Sequence, residues 1–198
     1  MIADERMMTF IHSFDSGNPP YLYELEKYAR ETNVPIVRPQ MQSLLKFLLT
    51  WGRPMKILEV GTAIGFSALL MSEYAPQGCH ITTIEKYEKR IPLAKENFKK
   101  AGKEDKITLL EGDAVEILAD MQETFDFIFM DPPYGKDYEY DVLLALSHSD
   151  IVDRYTIIVI EEALNVPLDY IDECGFETVK IKNYKTNKHI FIRLKESE

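Results

Sequence analysis

Residues 56–67 read Lys56-Ile57-Leu58-Glu59-Val60-Gly61-Thr62-Ala63-Ile64-Gly65-Phe66-Ser67. The first five make a short apolar run of the kind that buried strands use, and an apolar helical stretch follows over 66–74. Glycines at 61 and 65 let the backbone turn sharply and approach a ligand where the next helix begins. A strand, a glycine loop and a helix in that order open a parallel α/β sheet.

The alternation repeats downstream. Apolar strands are predicted at 80–85, 107–111, 125–130 and 155–160, and helices at 90–101, 114–121, 138–147 and 167–174. Upstream, Leu22, Leu25 and Tyr28 fall at helical spacing over 21–31, and Met41, Leu44, Leu45 and Leu48 over 40–51. A connector with two prolines, 33–39, joins these helices, and a loop-like stretch, 13–20, precedes them. The C-terminal part breaks the rhythm: runs at 176–182 and 189–194 flank a polar turn with no room for a helix. They predict an antiparallel hairpin at the sheet edge. The expectation is an α/β, Rossmann-like, doubly wound sheet of seven strands. Five are parallel, a C-terminal antiparallel hairpin supplies two, and helices precede them. One domain is expected over 1–198, with a helical extension at 1–52 and a cofactor-binding and catalytic core at 53–198.

A chain of 198 residues, 45% hydrophobic and 28% charged, can bury a substantial core. No apolar run reaches the length of a membrane span, and the acidic start lacks a signal pattern, so a cytoplasmic protein without membrane contact is expected. The two cysteines, Cys79 and Cys174, read as unpaired thiols of a reducing compartment. The net charge of −10 argues against strong non-specific nucleic-acid binding. Local basic groups, Lys86, Lys89 and Arg90 and the later Lys180, Lys182, Lys185 and Lys188, leave RNA open as a substrate, although scattered lysines are ordinarily solvated surface.

Around the glycine loop stand three acids. Glu59 precedes Gly61 by two residues. Glu85 ends the second strand, where a carboxylate can accept from both hydroxyls of a ribose. Asp113, after Gly112, ends the third, where it can meet an adenine amino group. The G-x-G-x-x-G dinucleotide spacing and the G-x-x-x-x-G-K-[ST] phosphate loop are both absent. An acidic lining suits a cationic ligand better than a pyrophosphate, and S-adenosylmethionine, with its sulfonium and ammonium, fits it.

A second motif, Asp131-Pro132-Pro133-Tyr134, closes the fourth strand. Its prolines hold φ and donate no hydrogen bond. A carboxylate and a carbonyl can accept from one amino group while the tyrosine ring stacks on a flat base. Asp131, the Pro132 carbonyl and Tyr134 are the candidate catalytic groups for an exocyclic amine.

Four segments, VPIVRPQMQSLLKFLL (34–49), ILEVGTAIGFSALLMSE (57–73), ITTIEKYEKR (81–90) and GDAVEIL (112–118), resemble the class I S-adenosylmethionine methyltransferases. The nearest resemblance is to the bacterial O-methyltransferase family that includes tRNA 5-hydroxyuridine and caffeoyl-CoA-type enzymes. It implies S-adenosylmethionine as cofactor, bound by Glu59, Gly61, Thr62, Gly65, Ser67, Glu85, Asp113, Ala114 and Asp131. From residue 125 on, FDFIFMDPPYGKDYE, IIVIEE and the closing hairpin instead resemble the 16S rRNA guanine-N2 methyltransferases, in which DPPY is the amine-methylating motif. This second resemblance implies methylation of an exocyclic amine in rRNA or tRNA. The first keeps open O-methylation of 5-hydroxyuridine or a catechol-like hydroxyl, with or without a metal, and a catalytically silent cofactor-binding module is a third reading. The O-methyltransferase pattern places Asp-Asn after the fifth strand to complete a divalent-metal site. Here Glu161-Glu162 stand there: with Asp131 as an oxygen ligand they are candidates to substitute as hard-cation ligands, but they are read as ending the strand and capping a helix, and no metal ligand is assigned. His12, His80, His148 and His189 are scattered and read as surface or packing residues. The first two helices are candidates for a cover over the site or a homodimer contact.

Overall fold

The computed structural model describes residues 17–131 and 138–195. Two helices come first, α1 (Pro20–Glu31) and α2 (Pro39–Gly52). Both start with proline at the first turn, where a missing N–H costs nothing and the fixed φ favours the helix. Then follow β1 (Lys56–Val60), α3 (Phe66–Tyr74), β2 (His80–Glu85), α4 (Ile91–Lys100), β3 (Ile107–Glu111), α5 (Ala114–Asp120), β4 (Phe127–Met130), α6 (Tyr138–Ser147), β5 (Ile157–Ala163), α7 (Asp169–Glu173), β6 (Phe176–Asn183) and β7 (Asn187–Leu194).

The strands form a seven-stranded sheet in the order β3-β2-β1-β4-β5-β7-β6. The first five pair in parallel, and β7 runs antiparallel to both β5 and β6. The expected sheet of five parallel strands with a terminal hairpin is what the chain builds. Strand order reverses between β1 and β4, and in such sheets a crevice opens at the carboxyl ends beside that reversal.

Alternation along the strands feeds two cores, one on each face. Ile57, Phe127, Phe129 and Val159 pack with Leu22, Met41, Leu45, Phe66, Leu69 and Phe98 of α1–α4. Leu58, Ile128, Ile158 and Ile160 pack with Leu118, Leu143, Leu146 and Ile171 of α5–α7. Both faces of the parallel strands are therefore covered, which is why their sequences read as continuous apolar runs.

Several boundaries differ from the sequence reading. The fourth strand starts at Phe127 rather than 125, and the fifth runs over Ile157–Ala163 rather than 155–160. Glu161 and Glu162 thus lie within β5, not at a strand end capping a helix, and are 2% and 1% exposed. The antiparallel partner explains the extension: β7 starts at Asn187, and its pairing with Ala163, Glu162 and Glu161 carries β5 three residues further. Cys79 and Cys174 are both free and buried. Among the described residues no helix is long and apolar enough to cross a membrane.

Candidate active site

The chain leaves β1 at Gly61 with φ +103, a backbone conformation that L side chains rarely adopt. Ala63, two residues on, also takes a positive φ of 49°. That strain is held in place by Glu85: its Oε2 accepts from Ala63 N at 2.7 Å and its Oε1 from Tyr87 N at 2.7 Å. Each oxygen keeps a further lone pair for a ligand. Glu85 is thus both the buckle of the glycine loop and an acceptor aimed beyond it.

A cavity of ≈ 800 Å³ opens at this point. Gly61, Thr62, Ser67, Glu85, Asp113, Ala114 and Asp131 all line it, bringing together most of the residues singled out from sequence. Asp113 has two tasks already. It caps α5, its Oδ1 accepting from Val115 N at 2.9 Å, and it pairs with Lys86 at 3.1 Å. Lys86 also sits 4.5 Å from the centre of the Tyr138 ring, joining the starts of α5 and α6 across the cavity mouth.

Two expected cofactor residues lie elsewhere. Gly65 is not in the cavity wall: it faces the Phe98 ring, and a Cβ there would come within 2.5 Å of it. Its glycine serves the turn into α3 and the packing beneath. Glu59 lies behind the wall, fully buried, where Thr83 Oγ1 donates to its Oε2 at 2.5 Å. Thr83 Oγ1 is in turn 2.6 Å from Oγ1 of Thr62, a fully buried residue of the loop that lines the cavity. Burial pushes the Glu59 carboxyl up to about 7, against the hydrogen bonds from Ser67 and Thr83.

Register explains the acidic end of the cavity. Val60 pairs with Met130 and Met130 with Ile160, so Gly61, Asp131 and Glu161 emerge side by side. Glu161 pairs in turn with His189 on β7. Side chains two apart share a face of a sheet, so Glu59 lies on the face of Asp131 and Glu161. Burial first, then the like charges of Glu161, Glu59 and Glu162, push Asp131 up to about 8, while Arg38 pulls it back. Of the four-residue corner only Asp131 is among the described residues; Pro132 and Tyr134 lie outside them.

The structure adds groups the sequence reading passed over. Arg38, just before α2, lines the cavity and bonds Thr186 and Asn187 in the β6–β7 hairpin, the latter at 3.4 Å. Asn187 Nδ2 donates to Glu161 Oε1 at 2.6 Å and faces His189 Nε2 at 3.4 Å. His189 is fully buried, with Nε2 3.7 Å from Glu161 Oε2 and its ring 4.3 Å from Tyr184. Burial and the nearby cations Lys182 and Arg38 push it down to about 4, so it is neutral. His189 is therefore no stray histidine. The β5–β7 register that brings it to Glu161 joins residues far apart in the chain, and nothing local marks it. Lys188, expected at the surface, is 6% exposed and donates to the Leu164 and Val166 carbonyls. His80 and His148 bond Thr108 and the Leu144 carbonyl away from the cavity, and His12 lies outside the described residues.

Glu161 Oε1 accepts from Asn187 Nδ2 at 2.6 Å, and Glu162 Oε1 accepts from Ala163 N at 2.7 Å. Among the described residues no three His, Cys, Asp or Glu side chains are grouped to hold a metal ion.

A doubly wound seven-stranded sheet with an acid-lined cavity at the carboxyl ends of its strands is the architecture of the class I methyltransferases. A family model described as O-methyltransferase matches residues 12–177, and the chain belongs to that family. A catechol O-methyltransferase of Niastella koreensis is 29% identical over 116 residues, 55% of this chain and 52% of that protein. A tRNA1(Val) (adenine(37)-N6)-methyltransferase of Histophilus somni is 31% identical over 80 residues, 40% of this chain and 34% of that one. The chain thus spans about half or less of the length of these two relatives. In fold it is similar to the SAH-bound Podospora anserina methyltransferase PaMTH1, with a TM-score of 0.78 at 22% identity, covering 97% of this chain and 95% of that one.

Proposed function

We propose that this chain moves the sulfonium methyl of S-adenosylmethionine to a hydroxyl of a small aromatic acceptor. The observation that carries this is the meeting of the Gly61 loop, the Glu85 clamp and the Asp131 carboxyl in one cavity. Glu85 offers its remaining lone pairs to the ribose hydroxyls, and the Asp113–Ala114 turn lies where an adenine edge would rest. The Gly61 end, with Asp131, receives the cationic methionine part. The cofactor supplies an already activated methyl group, so the protein has to align the nucleophile, exclude water and dispose of a proton. A hydroxyl must lose its proton as it attacks. A carboxyl poised at about 8 accepts a phenolic proton far better than an ordinary aspartate. Family membership supports the oxygen acceptor.

A second reading keeps the exocyclic amine of a base in RNA. The Asp131-Pro132-Pro133-Tyr134 order favours it, with Asp131 accepting an amine hydrogen. An amine needs no strong base, so this reading draws on Asp131 only as a hydrogen-bond acceptor and not on its raised carboxyl.

The experiment is calorimetry with S-adenosylmethionine, followed by transfer of a labelled methyl group to catechol and to unmodified RNA. Binding and a methoxy product on catechol are expected. Label in RNA as an N-methylated base would replace the first reading with the second. Binding without transfer to either would make the chain a cofactor-binding module.

A further inference from the structure

We propose that the β6–β7 hairpin takes an anionic arm of the aromatic acceptor, through Lys182 and Lys185, with Tyr184 between them and Arg38 linking them to the cavity. This names the acceptor class, a hydroxyl-bearing ring with a carboxylate or phosphate arm, and it rests on the methyltransferase reading.

Charge is segregated along the chain. Residues 176–195 carry six lysines and arginines against a single glutamate, in a protein of net charge −10. Three of the six are engaged: Arg193 pairs with Glu177, Lys195 pairs with Asp172 at 2.6 Å, and Lys188 turns inward to the Leu164 and Val166 carbonyls. Lys180, Lys182 and Lys185 stay exposed, and among the described residues none of them is in an ion pair.

Register brings this charge beside the cavity. Glu161 pairs with His189 across β5 and β7, and His189 with Lys182 across β7 and β6, so the three side chains share one face. Asp131 follows Met130, the partner of Ile160, and stands in the same row. With neighbouring strands about 4.8 Å apart, that row runs about 14 Å from Asp131 to Lys182. Lys182 is also positioned. Its ammonium lies 5.7 Å from the centre of the Tyr184 ring, and that ring sits 4.3 Å from the fully buried ring of His189. Arg38 joins the two regions, since it lines the cavity and bonds Thr186 and Asn187 in the hairpin.

A bare catechol with its hydroxyl at Asp131 does not span that row. A ring with an arm of about two or three carbons, met by the flexible four-carbon stem of a lysine, does. The footprint suits one small anion. A nucleic-acid backbone is held by neutralising many phosphates, and outside residues 176–195 acidic side chains outnumber basic ones nearly two to one.

The test uses the full chain saturated with S-adenosylhomocysteine, so that acceptor binding is read without turnover. Calorimetry compares catechols bearing a propionate, an ethyl phosphate or an ethylamine arm. Both anionic probes should bind about 10-fold tighter than the amine, and the advantage should shrink as salt screens it; the tighter of the two identifies the anion the hairpin takes. Lys182→Gln combined with Lys185→Gln should bring acid and amine within about 2-fold of each other. Tyr184→Phe keeps the ring and should keep the preference, whereas Tyr184→Ala frees Lys182 and should weaken it. Lys99→Gln, an equal loss of charge on α4, should leave the ratio as it is. Equal affinity for the three probes, tighter binding of the amine, or a preference that survives the double variant would overturn the proposal. So would methylation of RNA that the double variant abolishes, because the lysines would then serve a nucleic acid. Failure of the unaltered chain to bind S-adenosylmethionine would sink the underlying reading, whereas cofactor binding without an anion preference sinks this one alone.

Discussion

Thr83 Oγ1 lies 2.5 Å from Glu59 Oε2 and 2.6 Å from Thr62 Oγ1, so a fully buried carboxyl and a buried hydroxyl of the glycine loop share one hydrogen-bonded chain. The pairing follows from register, since Glu59 stands opposite Thr83 in the β1–β2 ladder. The chain ties the protonation of a hidden group to the loop that shapes the cavity.

The first prediction concerns stability against pH. Burial raises the Glu59 carboxyl from 4.5 to about 7 in the fold. Between those values the folded state holds a proton that the unfolded chain has released, so this group's contribution falls as pH rises and levels off above about 7. Glu59→Gln removes the ionisation. The stability of the variant relative to the parent should therefore improve by about 3 kcal/mol from pH 4.5 to 8, at 1.36 kcal/mol per pKa unit. Denaturant unfolding of both proteins across that range measures it. A difference that stays constant with pH would mean Glu59 is not held protonated.

The second prediction separates packing from ligand contact at the second glycine. Gly65 takes φ +84 and its missing Cβ points at Phe98, a ring only 3% exposed. Gly65→Ala should cost about 2–4 kcal/mol, the sum of a left-handed backbone penalty and an overpacked ring. Adding Phe98→Leu should recover the packing part and leave the backbone part. If Gly65→Ala unfolds at the same denaturant concentration as the parent, the close approach to Phe98 is not as tight as the structure shows.

Local chemistry explains why much of this was legible in advance. The strand–glycine–helix unit at 56–74, the acids at the ends of β2 and β3, and the hairpin without room for a helix are all short-range patterns, and the chain folds accordingly. Glu85, Asp113 and Asp131 meet because each ends a parallel strand, and strand ends of one sheet converge by construction. What escaped depends on pairing across distance. Glu161 and Glu162 look like a strand terminus until β7 lies beside them, and His189 looks idle until the antiparallel register sets it opposite Glu161. Arg38 lies in a segment that resembles the family, but its partner Thr186 is 148 residues away.

A third prediction tests the loop clamp. Both Glu85 oxygens hold backbone N–H groups, one of them on the strained Ala63. Glu85→Ala leaves two donors unsatisfied at about 1–3 kcal/mol each and lets the loop relax. Affinity for S-adenosylmethionine should fall about 10–100-fold by calorimetry, and the melting temperature should drop in the absence of ligand. Glu85→Gln can accept only through its one carbonyl oxygen and should lie between. Were affinity to fall with the unliganded melting temperature unmoved, Glu85 would be a ligand contact without a structural part.

The fourth prediction turns on Arg38, which combines a mechanical and an electrostatic role. It lines the cavity and ties the segment ahead of α2 to Thr186 and Asn187 of the hairpin. Its charge also lowers the Asp131 carboxyl against the push of Glu161, Glu59 and Glu162. Removing that charge in Arg38→Ala raises Asp131 further. The ionised form then appears only at higher pH, and the acid limb of methyl transfer should move upward, by up to about one unit for a single neighbouring charge. Arg38→Lys keeps the charge but not the planar fork that reaches two partners. It should leave the acid limb near its original position while weakening S-adenosylmethionine binding as Arg38→Ala does, because the hairpin tie is lost in both. Rate profiles against pH, with binding measured alongside, separate the two roles. An acid limb that moves equally in both variants would show that Arg38 acts on Asp131 through the shape of the cavity rather than through its charge.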